Sequence, residues 1–452
     1  MHSLLALLAG SSLFCSQALS ASIDGLKSRS SPLPPSQDPW YTAPEQGILV
    51  SSPPGSILRI RPDPFDLYAA VGKNLSSASY NILYRTNDAN EIPTFAVTTL
   101  FIPTGATSSG KDRHNLLSYQ IPYNSPTVDA SPSYALATDL SSTSSDIAAA
   151  LEQGWYVSVV DHEGPKASFA VGVVEGHAVL DAVRAVTQSS SSPAIKNIGH
   201  GHKDYKWNVG LWGYSGGSIA SEFAAELQAT YAPDVEITAV AIGGLPTPVR
   251  EVMKSVPNSP YAGLIPLALW GYANAFPELG DYLLSRLTPQ AKKSGVFTKA
   301  HNMTVTEGFV FYNNSDPFSY FINGREDILL SPLINSLLER QGTMGKHGFP
   351  TMPMFVYKAI ADQLAPIEGA DALIEQYCGY NSVVGSAKGA RILYERNTIG
   401  GHLAEELNQD ASALAFLAKA FNGQLGDGWP HGNGTGCVVK NVAVGNDTSP
   451  DW

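Results

Sequence analysis

The chain has 452 residues, a formal net charge of −12 at pH 7, 44% hydrophobic residues and only 15% charged residues. This length is sufficient for one large domain with an insertion or for two domains, and the composition supports a substantial core. The acidic balance argues against nucleic acid partners and against electrostatic docking on anionic membranes, but not against neutral ester substrates.

Residues 1–20 have the pattern of a secretory signal peptide. An apolar stretch covers residues 4–15, and Ala18-Leu-Ser20 forms a small-x-small cleavage pattern. The stretch is too short to span a bilayer comfortably, and no later segment is long enough to do so. We therefore expect residues 1–20 to be removed and the mature protein to be soluble and extracellular.

Removal of this segment takes Cys15 away and leaves Cys378 and Cys437. An even pair in an oxidising compartment favours a disulfide between them, with two buried free thiols as the alternative. Five N-x-S/T triplets are candidate glycosylation sites that are consistent with export: Asn74, Asn302, Asn313, Asn433 and Asn446.

The middle of the chain predicts an α/β fold. Residues 22–56 are rich in Pro and Ser and indicate extended chain, and two strands of a meander follow at 80–86 and 95–103. Apolar strands then alternate with helices, with strands at 116–120, 155–161, 209–212 and 237–244 and helices at 146–153 and 172–186. Continuous apolar strands in this alternation indicate a mostly parallel sheet that is covered on both faces.

The alternation is interrupted between residues 247 and 350, where the pattern is mostly helical. An interruption between late strands predicts an inserted helical cap, which divides the core into residues 21–246 and 351–452. The second part contains a strand ending near Asp362, a strand at 390–396 and a helix at 402–421, and we expect the Gly- and Asn-rich tail after residue 422 to be irregular.

Residues 213–217 read Gly-Tyr-Ser-Gly-Gly, directly after the apolar run 209–212 and before a helical segment. This is the strand–turn–helix pattern of a nucleophile elbow, in which a sharp turn exposes the serine hydroxyl and the helix N-terminus offers backbone donors. The alternative is a glycine-rich turn without chemistry. The flanking strand and helix favour Ser215 as a nucleophile.

A nucleophilic serine needs an imidazole base, and the imidazole needs a carboxylate on its other nitrogen. On this fold the acid and the histidine follow the serine in that order, which selects Asp362 and His402. Each residue alone could simply cap a helix or a turn, but together they stand at the edge of the sheet where ligands bind. The other candidate histidines fit less well and are interpreted as structural or as part of the insertion: His162, His200, His202 and His347.

An oxyanion hole needs a backbone N–H from the residue after the nucleophile, here Gly216, and a second donor from the loop after the third main strand. That loop reads Ile121-Pro-Tyr-Asn-Ser and has no His-Gly-Gly-Gly run. Asn124 is the candidate second donor, and an ordinary polar turn is the alternative.

In these and other motifs, the chain resembles the fungal secretory lipases of the lipase A type over most of the mature sequence. The similarity lies in several short segments: residues 38–42, 54–59, 118–120, 161–164, 175–177, 213–217 and 231–233, together with Asp362 and His402. The resemblance implies an α/β-hydrolase core with a helical lid, no metal or organic cofactor, and a triad of Ser215, Asp362 and His402 with oxyanion donors at Gly216 and Asn124. Members of this family hydrolyse acylglycerols, and similar proteins remove acetyl groups from metabolites such as trichothecenes.

The chain departs from the lipase pattern at three points. Asn124 stands where the lipases have an Asp, the cysteine pair that ties the cap to the core is missing, and the C-terminus is too short for the flap seen over the lipase site. These departures weaken a preference for long acyl chains.

We therefore predict a secreted serine carboxylic-ester hydrolase, a lipase acting on acylglycerols first and an esterase that deacetylates a small metabolite as the alternative. Its partner would be an ester or lipid substrate, with at most transient contact with lipid interfaces, and we expect a monomer. The apolar segment 261–276 distinguishes the two substrates: it either packs as the underside of the cap or lines a slot for an acyl chain. A non-catalytic binding protein usually lacks a triad residue, and a serine peptidase more often carries a propeller or a charged subsite; neither pattern is seen.

Overall fold

The computed structural model describes residues 32–105, 113–137, 143–187, 206–384, 389–426, 429–430 and 436–446. These residues form one sheet of ten strands, which are β1 (Ile57–Pro62), β2 (Ser76–Asn87), β3 (Pro93–Pro103), β4 (Arg113–Gln120), β5 (Tyr156–Val160), β6 (Lys206–Tyr214), β7 (Ala239–Gly243), β8 (Pro353–Ala359), β9 (Arg391–Asn397) and β10 (Gly436–Val442). Their order across the sheet is β1-β2-β3-β5-β4-β6-β7-β8-β9-β10.

The sheet is antiparallel at one end and parallel over the rest of its width. Strands β1, β2, β3 and β5 pair antiparallel, whereas β5, β4, β6, β7, β8, β9 and β10 pair parallel. Because parallel strands end at the same edge, the loops that follow β4, β6 and β8 lie close together. This edge carries the residues that the sequence singles out.

The helices that precede β7 lie on both sides of the sheet or at its antiparallel end. They are α1 (Gln46–Ser51), α2 (Leu67–Val71), α3 (Pro132–Ala135), α4 (Thr143–Glu152), α5 (Gly172–Thr187) and α6 (Gly216–Tyr231). Helix α1 corrects the expectation of extended chain over residues 22–56, because its Leu49 packs on Leu83, Phe95 and Val97 of the sheet.

Alternate residues of the central strands enter different cores, as the period of two in a strand requires. Val209 and Leu211 of β6 belong to the core under α5 and α6, whereas Trp212 and Tyr214 belong to the core under α4 and the last helix. The strands are therefore apolar on both faces, which explains their continuous hydrophobic runs.

The chain between β7 and β8 is helical, as the sequence pattern predicted. It contains α7 (Val249–Ser255), α8 (Leu264–Ala275), α9 (Pro277–Arg286), α10 (Pro289–Ser294), α11 (Val305–Tyr312), α12 (Arg325–Leu329) and α13 (Pro332–Gln341). Hydrogen bonds join this region to the loops at the sheet edge. Among them, Ser125 Oγ donates to the Met303 carbonyl oxygen at 2.9 Å, and Asn274 Nδ2 donates to the Pro126 carbonyl oxygen at 3.0 Å.

The last part of the chain adds α14 (Ile367–Val384) after β8 and α15 (His402–Phe421) after β9. The tail after residue 422 is not wholly irregular, since β10 pairs with β9 over seven residues. A disulfide joins Cys378 of α14 to Cys437 of β10. It closes a separation of 59 residues, for which the chain-entropy model gives a stabilisation of about 4 kcal/mol.

Four candidate glycosylation sites are exposed in the structure: Asn74, Asn302, Asn313 and Asn446. Asn433, the predicted signal peptide of residues 1–20 and the histidines His200 and His202 lie outside the described residues. Within the described part of the chain, none of the helices has the length and apolar character needed to cross a membrane.

Candidate active site

Ser215 stands at the turn between β6 and α6, with φ 51° and ψ −122°. A non-glycine residue rarely adopts this conformation, and the turn aims its side chain away from the sheet edge. The glycines beside it are sterically required: a Cβ on Gly213 would collide with the Gly217 carbonyl group, and a Cβ on Gly217 would collide with the Gln120 carbonyl oxygen. The structure thus has the strand, sharp turn and helix of an elbow at Ser215, and the role of Ser215 as nucleophile stays a prediction.

His402 and Asp362 complete a chain of hydrogen bonds that starts at Ser215. The Ser215 Oγ lies 2.8 Å from His402 Nε2, and His402 Nδ1 lies 2.7 Å from Asp362 Oδ2. His402 is the first residue of α15, and Asp362 follows β8 by three residues. Both side chains are buried, so the imidazole is held between the hydroxyl and the carboxylate with little access to bulk water.

The Asp362 carboxylate is fixed by further donors. Its Oδ1 accepts hydrogen bonds from the backbone N–H groups of Leu364, at 3.0 Å, and Ala365, at 2.8 Å. Burial alone would raise its pKa, but the charges and hydrogen bonds of His402 and Lys358 hold the pKa of Asp362 below its ordinary value. The carboxylate therefore stays ionised, as a partner of an imidazole must.

Lys358 is a residue of this site that sequence reasoning missed. Its side chain is fully buried, and its Nζ lies 2.7 Å from Asp362 Oδ2 and 3.2 Å from the Leu245 carbonyl oxygen. The available signal was a single cation inside the apolar run 354–359, four residues before Asp362. A buried lysine is rare without a paired charge, so that position pointed to an acidic partner nearby.

Asn124 lies next to the nucleophile, on the loop that follows β4. Its backbone is left-handed, with φ 45°, and a Cβ added to Gly216 would collide with its side-chain amide. The Asn124 amide oxygen is buried and has no hydrogen-bond partner among the described residues. Gly216 opens α6, where the first backbone N–H groups have no partner within the helix.

Glu163 lies beneath this loop and holds its backbone. The Ser125 N–H donates to Glu163 Oε1 at 3.2 Å, and the Glu163 N–H donates to the Tyr123 hydroxyl at 2.7 Å. Burial and the nearby Glu175 raise the pKa of Glu163 well above its ordinary value, while hydrogen bonds from the backbones of Ser125 and Asn124 lower it. The Asn124 side-chain amide lies against Gly216.

A small apolar cavity opens beside Ser215. Its volume is about 40 Å³, and it lies between the elbow and helices α7 and α8. Except for Asn124 and Ser215, its walls are apolar residues or glycine: Phe169, Ala170, Gly216, Ile219, Pro246, Val249, Val252, Met253, Val256, Leu264, Ile265, Ala268 and Leu364.

The segment 261–276 is divided between the two roles considered for it. Leu264, Ile265 and Ala268 line the cavity, whereas Leu267 and Leu269 are buried in the core. Trp270 stacks on Phe297 at the outer side of α8.

The other histidines that the structure describes stand apart from Ser215. His162 Nε2 lies 3.0 Å from the Ile121 carbonyl oxygen, and its Nδ1 lies 3.5 Å from Glu175. His347 packs on Phe223 and lies 3.6 Å from the buried Glu226. These contacts agree with the structural role expected for His162. They also show that His347 packs against helix α6, away from the Ser215 end of that helix.

The proteins that are similar to this chain are lipases and esterases. The family model described as "Secretory lipase" matches residues 131–428. The chain is 41% identical over 430 residues to "Trichothecene C-3 esterase" from Fusarium sporotrichioides, covering 93% of this chain and 90% of the relative. It is 32% identical to "Lipase A" from Arthroderma benhamiae, covering 87% of this chain and 81% of the relative.

Among solved structures, Candida antarctica lipase A in its closed state matches with a TM-score of 0.75 and 26% identity. The match covers 93% of this chain and 92% of that chain. It confirms the α/β-hydrolase fold that the family resemblance implied.

Proposed function

This chain belongs to the secretory lipase family, and we propose that it is a serine esterase that removes short acyl groups from a bulky alcohol. Its relatives confirm the predicted activity as a carboxylic-ester hydrolase. The observation that carries the proposal is the position of the Ser215 Oγ, 2.8 Å from His402 Nε2 and at the mouth of a cavity of about 40 Å³.

In the proposed reaction, Ser215 attacks the ester carbonyl carbon while His402 takes the hydroxyl proton. His402 then gives this proton to the leaving alcohol, and an acyl-enzyme remains on Ser215. A water molecule, activated by His402 in the same way, releases the carboxylic acid and restores the serine. Asp362 keeps the proton of the imidazole on Nδ1 and stabilises the imidazolium that forms.

The negative oxygen of the tetrahedral intermediate would be stabilised by the Gly216 backbone N–H and by the Asn124 side-chain amide. The Asn124 side-chain amide lies against Gly216, which supports the amide as the donor that this residue offers. Rotation of the amide by 180° brings Nδ2 to the side now occupied by Oδ1, which has no other partner to lose.

The cavity supports a short acyl group as the preferred substrate. A volume of about 10–15 Å³ holds one water-sized group, so about 40 Å³ accommodates roughly the three heavy groups of an acetyl unit. A longer chain held wholly inside the cavity would have to displace side chains of α7 and α8, and overpacking of this kind is costly. An acetyl ester of a trichothecene-type metabolite fits a cavity of this size better than a long-chain acylglycerol does. The relative at 41% identity is named as an esterase of trichothecenes, which also supports this substrate class.

A series of esters of one alcohol tests this proposal, from acetate through butanoate to hexanoate, each below its solubility limit. We expect kcat/KM to fall at least tenfold from acetate to hexanoate. A slot that accepts the chain would instead gain about 0.8 kcal/mol per methylene, or roughly a hundredfold over four methylenes. A rise of that size would contradict the proposal and favour a lipase acting on acylglycerols.

We further propose that the enzyme acts outside the cell and as a monomer. The family is described as secretory, and residues 1–20 have the pattern of a cleaved signal peptide. Terminal sequencing and sizing of the protein from culture medium tests both points, since the mature chain would begin near residue 21 and elute at the mass of one chain.

A further inference from the structure

Lys358 contributes a buried positive charge directly behind the triad. It lies on β8, has no solvent exposure, and places its Nζ 2.7 Å from Asp362 Oδ2. Its second contact is the Leu245 carbonyl oxygen, at 3.2 Å. Both contacts are with acceptors, so the geometry suits an ammonium group with three donors.

The ammonium and the imidazole bind the same carboxylate oxygen. Asp362 Oδ2 receives His402 Nδ1 at 2.7 Å on one side and Lys358 Nζ at 2.7 Å on the other. The two backbone N–H groups described above occupy Oδ1. Four donors therefore saturate the four lone pairs of the carboxylate, which leaves it one orientation.

This arrangement is more than an aspartate needs to orient a histidine. A buried ammonium carries a large desolvation cost, and a triad carboxylate with two backbone donors is already positioned. Burial lowers the pKa of Lys358 below its ordinary value, although the adjacent Asp362 opposes this shift. The positive charge of Lys358 therefore also acts on the electrostatic environment of the His402 imidazole, because both groups contact the same carboxylate oxygen.

We propose that Lys358 is a positioning residue of the triad, whose ammonium fixes Asp362 Oδ2 and neutralises part of its charge, so that His402 is a weaker base and its imidazolium a stronger acid. This inference rests on the proposed roles of Ser215, Asp362 and His402. The Lys358 proton stays on the ammonium throughout, and only the proton of the Ser215 hydroxyl moves, first to His402 Nε2 and then to the leaving alcohol.

Lys358 therefore affects the two proton transfers of His402 in opposite directions. A carboxylate that shares its charge stabilises the imidazolium less, so acceptance of the serine proton becomes harder and its donation to the leaving alcohol becomes easier. An alkyl ester, whose alcohol must be protonated to leave, benefits from this arrangement. A p-nitrophenyl ester, whose phenolate leaves without a proton, does not.

Other charged and titratable groups face Lys358 and Asp362, and the variants used in the test leave these residues in place. From α15, Glu405 acts on both Lys358 and Asp362, and from α14, Asp371 acts on Lys358. Tyr214 of β6 and Tyr261 at the start of the cap face Asp362. Burial raises the pKa of Glu405 to about 8, and Lys358 is the charged side chain other than His402 that contacts the Asp362 carboxylate directly among the described residues.

The test uses Lys358→Met, which removes the charge and the donors, and Lys358→Gln, which keeps a donor without the charge. The pH profile of kcat/KM for p-nitrophenyl acetate should shift its acid limb upward by about one pH unit in both variants, because a unit charge has been removed near the imidazolium. At pH 8, kcat/KM for an alkyl acetate should fall at least tenfold further than kcat/KM for p-nitrophenyl acetate.

A merely structural lysine would lower both activities equally and leave the acid limb where it is, and that result would overturn the proposal. Lys419→Met is the matched control. It makes the same substitution at an exposed residue near the C-terminal end of α15, far from the triad. Ser215→Ala belongs in the same series: activity in that variant refutes the triad itself, whereas an inactive Ser215→Ala with an unshifted Lys358→Met refutes only the role of Lys358.

A measurement on the unaltered protein covers the case in which neither Lys358 variant folds. Lysine labelled with ¹³C at Cε reports the charge of each side chain by NMR, and the resonance that responds to phosphonylation of Ser215 identifies Lys358. The proposal requires this lysine to be charged at pH 7. A neutral Lys358 would overturn it.

Discussion

Gly216 lies against the side-chain amide of Asn124, so that a Cβ atom at residue 216 would collide with the amide oxygen. The contact joins the first residue of the nucleophile helix to the loop after β4. It brings the two proposed oxyanion donors to one side of Ser215, and it requires glycine at 216 for steric reasons.

Gly216→Ala should therefore disable the enzyme while leaving the fold intact. The new methyl group has to displace Asn124, and loss of one oxyanion donor typically lowers kcat by about 10²–10³. Steady-state kinetics on an acetate ester measures this loss. Gly47→Ala is the control, because a Cβ at residue 47 meets nothing within 4 Å; similar kinetics in the two variants would refute the role of the contact.

Asn124→Asp tests the donor function of the amide by its pH dependence. An aspartate donates a hydrogen bond to the oxyanion only while it is protonated, and once ionised it repels the developing charge. The ratio of variant to wild-type kcat/KM should thus increase as the pH falls. Use of this ratio removes the pH dependence that both proteins share. Asn258→Asp, at an exposed residue that also has a positive φ, should show a constant ratio. A constant ratio at residue 124 would remove Asn124 from the oxyanion hole.

The size of the cavity can be changed at Met253, which is 2% exposed and lines it. Met253→Ala should raise the ratio of hexanoate to acetate kcat/KM about tenfold, because the removed atoms leave room for a longer chain. A stability cost of about 2–5 kcal/mol is expected for such a truncation. Met344→Ala, equally buried but outside the cavity, should cost similar stability without changing the ratio. An unchanged ratio in Met253→Ala would show that the acyl group binds elsewhere.

A cluster of carboxyl groups on α4 and α15 makes stability depend on pH. Tyr119 donates a hydrogen bond to Asp146 at 2.6 Å, and Glu406 and Asp410 lie near this pair. Burial and mutual repulsion raise the pKa of Glu406 to about 7 and that of Asp410 to about 8. The folded state therefore binds these protons more tightly than the unfolded chain, and stability falls as the pH rises from about 4 to 8.

Asp410→Asn should remove part of this dependence, since the amide is neutral at every pH. We expect a higher Tm than wild type at pH 8 and little difference at pH 4, as measured by calorimetry. Asp281→Asn, on an exposed face of α9, should have the same small effect at both pH values. Equal shifts of Tm at pH 4 and pH 8 in Asp410→Asn would contradict this account.

The sequence was sufficient for the parts of the site that depend on local turns and on the order of strands. The elbow at Ser215 needs glycines at fixed offsets, and Asp362 and His402 follow successive parallel strands, so their edge of the sheet is determined by topology. Helix α15 begins at His402 and ends at Phe421, as the pattern predicted.

Other features depend on tertiary contacts that no local pattern records. The strand β10 has half-buried and exposed residues without alternation, and pairing with β9 and the disulfide at Cys437 stabilise it. Lys358 lies in an apolar strand, and only the turn back to Asp362 gives it a partner. The division of α8 between core and cavity requires the position of α7, which the sequence does not fix.

The most direct test of the whole account is covalent labelling of the nucleophile. A fluorophosphonate should modify the native protein once, peptide mapping should place the adduct on Ser215, and hydrolysis of the acetate ester should be lost in proportion to labelling. Ser215→Ala should neither be labelled nor hydrolyse the ester, while its Tm stays close to that of the wild type. Hydrolysis that persists in folded Ser215→Ala, or an adduct that maps to another residue, would contradict the assignment of Ser215 as the nucleophile.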